Sequence, residues 1–136
     1  MAEDAGELIG VEIVESAVEC ARENARENGV TNASFYSADA ADTESLLSAA
    51  ERERGEKITP DVIVLDPPRA GCDEGLLRYI SALAPRRVVY VSCNPDTLAR
   101  DCTWFRELGY QIGAVTPVDM FPRTGHVETI VCLRKQ

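Results

Sequence analysis

Three features of this 136-residue sequence predict an α/β fold built on a doubly wound, mostly parallel sheet. Short apolar, β-branched runs alternate with segments whose apolar residues recur every three or four positions. Successive runs end at Glu12, Asp39, Asp66 and Cys93, so polar and reactive side chains collect along one edge, where open α/β sheets bind ligands. The last two runs are joined by a stretch short enough for an antiparallel pair.

Taken in order, Leu8–Ile13 reads as a first short strand. Ser16, with Glu19 three residues on, is placed to form a capping box for the helix that follows. Val14, Ala17, Val18, Ala21 and Ala25 give that helix an inward stripe, and Asn28-Gly29 ends it. Glu15, Glu19, Glu23 and Glu27 repeat every four residues beside Arg22 and Arg26, the pattern of a solvated face. Ala33–Tyr36 is a weaker strand, followed by the loop Ser37-Ala38-Asp39-Ala40 and a helix from about Thr43 to Arg54. Asp61–Asp66 is expected to be a buried strand. Leu76, Leu77, Ile80 and Leu83 mark the next helix, and Val88–Val91 reads as a strand buried on both faces. Asn94-Pro95 stops that strand and opens a helix carrying Leu98, Trp104, Phe105 and Leu108. Tyr110–Val118 and His126–Leu133 are the closing strands.

Composition narrows the function classes. Hydrophobic residues make up 45% and charged residues 27%, a balance that supports a packed core rather than disorder. No apolar run approaches a membrane span, and the acidic first residues do not resemble a signal peptide, so a cytoplasmic protein is expected. Five cysteines with no C-x-x-C pair argue against a disulfide framework and against a metal centre. Residues 1–56 hold 4 basic and 14 acidic side chains, whereas residues 57–136 hold 10 and 9. Such a chain cannot gather phosphates by charge alone. If its substrate is a nucleic acid, basic surface outside these residues must supply most of the backbone grip.

Cys93 stands at the carboxyl end of a central strand and just ahead of a helix, where backbone dipoles favour a thiolate. Taken alone it reads equally as a small buried apolar residue. Asp66 is followed by two prolines, which argues against simple helix capping.

Three blocks then carry a resemblance: Asp66-Pro67-Pro68-Arg69-Ala70-Gly71; Ser92-Cys93-Asn94-Pro95 with Thr97-Leu98-Ala99-Arg100-Asp101; and Asp119-Met120-Phe121-Pro122 with Thr124-Gly125-His126-Val127-Glu128. In order and spacing the chain resembles, from about Leu8 onward, the S-adenosylmethionine-dependent RNA uracil-5-methyltransferases. It looks closer to those acting on 23S rRNA than to those acting on tRNA. The resemblance implies a Rossmann-like class I methyltransferase fold, with Cys93 as nucleophile and Glu128 as general base. It also implies cofactor contacts from Glu12 at the ribose, Asp39 near the adenine and Asp66 beside the methionyl part. His126 would be structural or substrate-facing, and Arg69 would meet phosphate or stabilise its loop.

The chemistry explains the residue types. Carbon 5 of uracil is a poor nucleophile toward a methyl sulfonium. Adding a thiolate to carbon 6 makes an enolate whose carbon 5 can take the methyl group. A base must then remove the proton left on carbon 5 before the thiolate is expelled.

The resemblance also shows what these residues do not include. Nothing matches the family's RNA-binding β-barrel, or the first strand of its sheet with the Gly-rich cofactor loop. The chain is therefore expected to be a single truncated catalytic domain spanning 1–136, and by itself to transfer methyl groups weakly or not at all. The absent strand would lie between the Val11 and Val64 strands. Those two are expected to pair directly, or to be bridged by another chain through self-association or strand exchange. Two other functions compete. An amino-group methyltransferase uses Asp-Pro-Pro to orient an exocyclic nitrogen, but usually has an aromatic residue where Arg69 stands. An inert folding or assembly module would bind no cofactor.

Overall fold

The computed structural model describes residues 1–39 and 42–136, so Ala40 of the expected loop lies outside them. Two compact units divide the chain, residues 1–56 and 57–136.

The first unit runs β1 (Leu8–Glu12), α1 (Glu15–Glu27), β2 (Ala33–Ser37) and α2 (Thr43–Arg54), after a 3-10 turn at Ala2–Asp4. The strands pair in parallel from Leu8 opposite Ala33 to Glu12 opposite Ser37. Gly10 faces Phe35 so closely that a Cβ would lie 2.6 Å from its ring. Helix α1 packs on this pair and buries Val18. It starts at Glu15 with Val14 as N-cap and no side-chain cap, so the capping box expected at Ser16 and Glu19 does not form. Only two residues separate strand from helix, so Ser16 already lies inside the first turn and cannot cap it, and the Glu12 carboxylate accepts from the Val14 amide at 2.9 Å. Gly55 closes α2 in the left-handed conformation, and Arg54 ion-pairs with Glu7 at 2.6 Å.

The second unit runs β3 (Val62–Leu65), α3 (Glu74–Leu83), β4 (Arg87–Ser92), α4 (Pro95–Glu107), β5 (Tyr110–Val118) and β6 (Glu128–Lys135). Its sheet has the order β3-β4-β6-β5. β3 and β4 are parallel, while β6 is antiparallel to both of its neighbours. The closing hairpin thus inserts its last strand beside β4 rather than adding two strands outward. Residues 88, 90, 131 and 133 point to one face and pack with Leu77, Ile80, Leu98, Cys102 and Phe105 of α3 and α4. Phe105 and Tyr110 meet edge to face, their centroids 5.5 Å apart.

Two expectations change here. β3 is not buried on both sides: Val62 and Val64 are 49% and 46% exposed. On β4 only one face is fully buried, and Val89 and Val91 are half-buried. The reason is shared. The sheet carries its helices on one face, and β3 is an edge strand with β4 as its single neighbour. Nor do β1 and β3 pair with one another among the described residues; they belong to separate sheets. The parallel ladders that form are those with a direct helical crossover, α1 between β1 and β2 and α3 between β3 and β4.

Candidate active site

Within the second unit, register gives the relation between the expected nucleophile and base. The last rung of the β4–β6 ladder is Ser92 opposite Thr129. Cys93 is the first residue past this rung on one side and Glu128 the first residue of β6 on the other, so both stand at the same end of the ladder. Ser92 and Thr129 are buried, so alternation turns Glu128 to the other face with Ile130, while Cys93 lies in the bend that follows β4. Both are half-buried. Asp66 follows Leu65, the last residue of β3, which pairs with Tyr90. Asp66, Cys93 and Glu128 therefore lie at one end of this sheet, just past β3, just past β4 and at the start of β6.

Glu12 and Asp39 lie in the first unit, Glu12 at the end of β1 and Asp39 two residues beyond β2. Glu12 spends one oxygen on the Val14 amide, as a local turn acceptor does, and keeps the other.

The loop after β3 is tied to the helix that follows Cys93. Asn94 caps α4 by accepting from the Asp96 amide at 3.1 Å, while its Nδ2 donates to the Arg69 carbonyl at 3.1 Å. The Thr97 hydroxyl donates to that same carbonyl at 3.2 Å. From the Arg69 side chain, a guanidinium N–H donates to Nδ1 of His126. Arginine can only donate, so in this contact the ring nitrogen is the acceptor. The main chain of residue 69 is thus held beside the Cys93 helix, and its side chain reaches the residue two before Glu128. His126 falls in the hairpin loop rather than in β6, because the Thr124 hydroxyl accepts its amide at 3.2 Å.

Beneath this lies a set of residues that periodicity does not announce. Asp101 is fully buried. Its Oδ2 accepts from the Cys72 amide at 2.8 Å and from the Tyr90 hydroxyl at 2.6 Å, and its Oδ1 pairs with Arg100. Arg100 also donates to the carbonyls of Ala70 and Cys72. Burial pushes the Cys72 thiol up to about 11, with the neighbouring Asp101 charge acting in the same direction. Burial, and donation to Asp101, likewise raise the Tyr90 hydroxyl. The signal available in the sequence was Thr97, Arg100 and Asp101 at helical spacing on one side of α4, opposite a loop carrying Gly71.

Comparison with known proteins agrees with this architecture. The family model for tRNA (uracil-5-)-methyltransferase matches residues 1–136. An uncharacterized RNA methyltransferase of Geobacter sulfurreducens is 49% identical over 137 residues, covering all of this chain and 26% of its own length. One from Clostridium acetobutylicum is 44% identical over 135 residues, covering 99% of this chain and 28% of its own. The chain thus spans between a quarter and a third of the relatives it matches. Among solved structures, the tRNA (uracil-54, C5)-methyltransferase of Pyrococcus abyssi, in complex with S-adenosyl-L-homocysteine, aligns with a TM-score of 0.75 and 34% identity over 97% of this chain and 30% of that one. An rRNA methylase from Streptococcus thermophilus aligns over 98% of this chain and 76% of its own, with a TM-score of 0.68 at 9% identity, a likeness of fold alone. The fold is the Rossmann-like fold of class I methyltransferases. The chain belongs to the tRNA (uracil-5-)-methyltransferase family.

Proposed function

We propose that this chain is the catalytic part of an RNA methyltransferase that moves the methyl group of S-adenosylmethionine to carbon 5 of a uridine, in rRNA rather than tRNA, in the cytoplasm. What supports the reading is membership of this family, together with a β4–β6 ladder that ends at Ser92 opposite Thr129, next to Cys93 on one chain segment and Glu128 on the other. The Cys93 sulfur adds to carbon 6 of the uracil, carbon 5 attacks the methyl group, and S-adenosylhomocysteine leaves. Glu128 then takes the carbon 5 proton, and the carbon 6–sulfur bond breaks to return the thiolate. Glu12, Asp39 and Asp66 are the residues assigned to the cofactor: carboxylates suit ribose hydroxyls and the amino groups of adenine and methionine. The P. abyssi enzyme's complex with the demethylated cofactor supports this choice of methyl donor.

A trapping experiment tests the mechanism. Fluorine at carbon 5 cannot leave as a cation, so 5-fluorouridine RNA with S-adenosylmethionine should freeze the adduct on Cys93. The protein is assayed together with whatever its reading frame encodes upstream of Met1. A denaturation-resistant protein–RNA band, lost in Cys93→Ala, is expected. An amino-group transferase would give methylated RNA and no band.

A further inference from the structure

We propose that Asp101, working through Arg100 and Tyr90, is the positioning residue that locks the Pro68–Cys72 loop against the nucleophile's helix and so fixes where the substrate base sits above Cys93. The inference rests on the reaction proposed above but concerns residues that touch neither base nor cofactor.

Position is the first argument. Tyr90 lies three residues before Cys93 on β4, Asp101 eight residues after it on α4, and Cys72 six residues after Asp66. One carboxylate joins all three segments through two short hydrogen bonds and an ion pair. Tyr90 points to the helix side of the sheet, so the joint lies directly behind the end of β4, the strand that Cys93 follows.

Cost is the second. A fully buried carboxylate is expensive, and well-packed apolar residues would stabilise a core at least as well. What the charge supplies is direction. Asp101 accepts a main-chain amide at Cys72, while Arg100 donates to the carbonyls on either side of Gly71. Gly71 fits by having no side chain, since a Cβ there would lie 2.6 Å from both Asp101 Oδ2 and Arg100. The loop is gripped by its backbone, so its position does not depend on how its side chains pack. Asn94 and Thr97 hold the Arg69 carbonyl at the other end. The grip is continuous from residue 69 to residue 72.

Asp101→Asn and Tyr90→Phe test this, each preserving volume. Peptide-resolved hydrogen exchange and 5-fluorouridine trapping are measured on both variants and on the unaltered protein, each together with whatever its reading frame encodes upstream of Met1. Removing a charged acceptor should speed exchange across residues 69–73 by about tenfold in Asp101→Asn, and by a smaller factor in Tyr90→Phe. Exchange in β6 should be unchanged. The maximal rate of adduct formation should fall by about tenfold or more in Asp101→Asn, with half-saturating RNA within about threefold, because a displaced loop misaligns reacting atoms more than it weakens RNA binding. Unchanged exchange at residues 69–73 would overturn the lock. Faster exchange with an unchanged maximal rate would reduce the joint to a structural role and overturn the positioning claim. If Asp101→Asn does not fold, Tyr90→Phe decides by the same two measurements. If the unaltered protein forms no adduct, the proposed reaction fails, and the lock is still judged by exchange alone.

Discussion

Gly71 shows how much one residue can decide in this chain. Its φ is +76°, a conformation that costs a residue with a side chain about 1–2 kcal/mol, and Asp101 and Arg100 leave no room for one. Gly71→Ala should therefore destabilise the protein by about 2–4 kcal/mol, read as a lower urea midpoint. The neighbouring Cys72 gives a pH prediction. Its thiol ionises near 9.0 when unperturbed and at about 11 in the folded protein. The unfolded chain loses that proton first, so stability is full below pH 9 and declines as pH rises toward 11. The part due to Cys72 should total roughly 2–3 kcal/mol, read as the difference between the unaltered protein and Cys72→Ala when unfolding is followed from pH 8 to 11. Buried Cys102, and Tyr90 with Tyr110, are also raised and add declines of the same sign that begin at about pH 9 and pH 10 and persist in Cys72→Ala. On the catalytic side, Glu128→Gln should let Cys93 add to carbon 6 and carbon 5 take the methyl group, but should leave the carbon 5 proton in place, so that the carbon 6–sulfur bond does not break. A stable adduct with ordinary uridine RNA, detected by mass spectrometry, is the expected outcome.

At the scale of elements, the start of α4 does two jobs at once. Asn94 caps the helix and holds the Arg69 carbonyl, so Asn94→Ala removes a cap worth about 1 kcal/mol and one of that carbonyl's two donors. Faster exchange at the Asp96 amide, and a lower denaturation midpoint, would report the loss. The β5–β6 hairpin carries a register shift between Ile112 and Val115, and Gly113 sits inside it. A Cβ at Gly113 would lie 2.6 Å from the Cys132 carbonyl oxygen, a backbone atom with little freedom to move. The bulge explains how a nine-residue strand curves against β6 while still setting Val118 opposite Glu128. The sequence predicted every one of these elements, because each has its own period and its own stop signals. It misjudged the Ser16 cap, since the turn after β1 is short enough that the helix has begun by Glu15, and residue preference alone does not give that length.

For the molecule as a whole, the informative surface is the helix-free face and open edge of the second unit's sheet. Val62 and Val64 are exposed on β3, and Ile130 is 36% exposed two residues beyond Glu128. An apolar edge strand with one hydrogen-bonded neighbour is a template for further pairing. The purified chain should self-associate with rising concentration on gel filtration, and Val64→Lys should shift it toward monomer. The 136 residues alone should bind S-adenosylhomocysteine weakly or not at all; a monomer with micromolar affinity would contradict both expectations. No helix among the described residues is long and apolar enough to cross a membrane.

The sequence alone determined the order of strands and helices, the antiparallel closing pair and the residues at the strand ends, because hydrophobic period, capping residues and prolines act over a few neighbours. It also carried the family resemblance, through motifs whose spacing survives without coordinates. Tertiary structure decided which strands became neighbours, so that β6 entered between β4 and β5 and brought its first residue, Glu128, to the end of the sheet where β4 runs into Cys93. It also decided that Val62 and Val64 face solvent, and that Asp101 binds an amide 29 residues earlier in the chain. Those outcomes depend on long-range pairing and on which face the helices cover, and a local pattern of apolar and polar residues does not encode either.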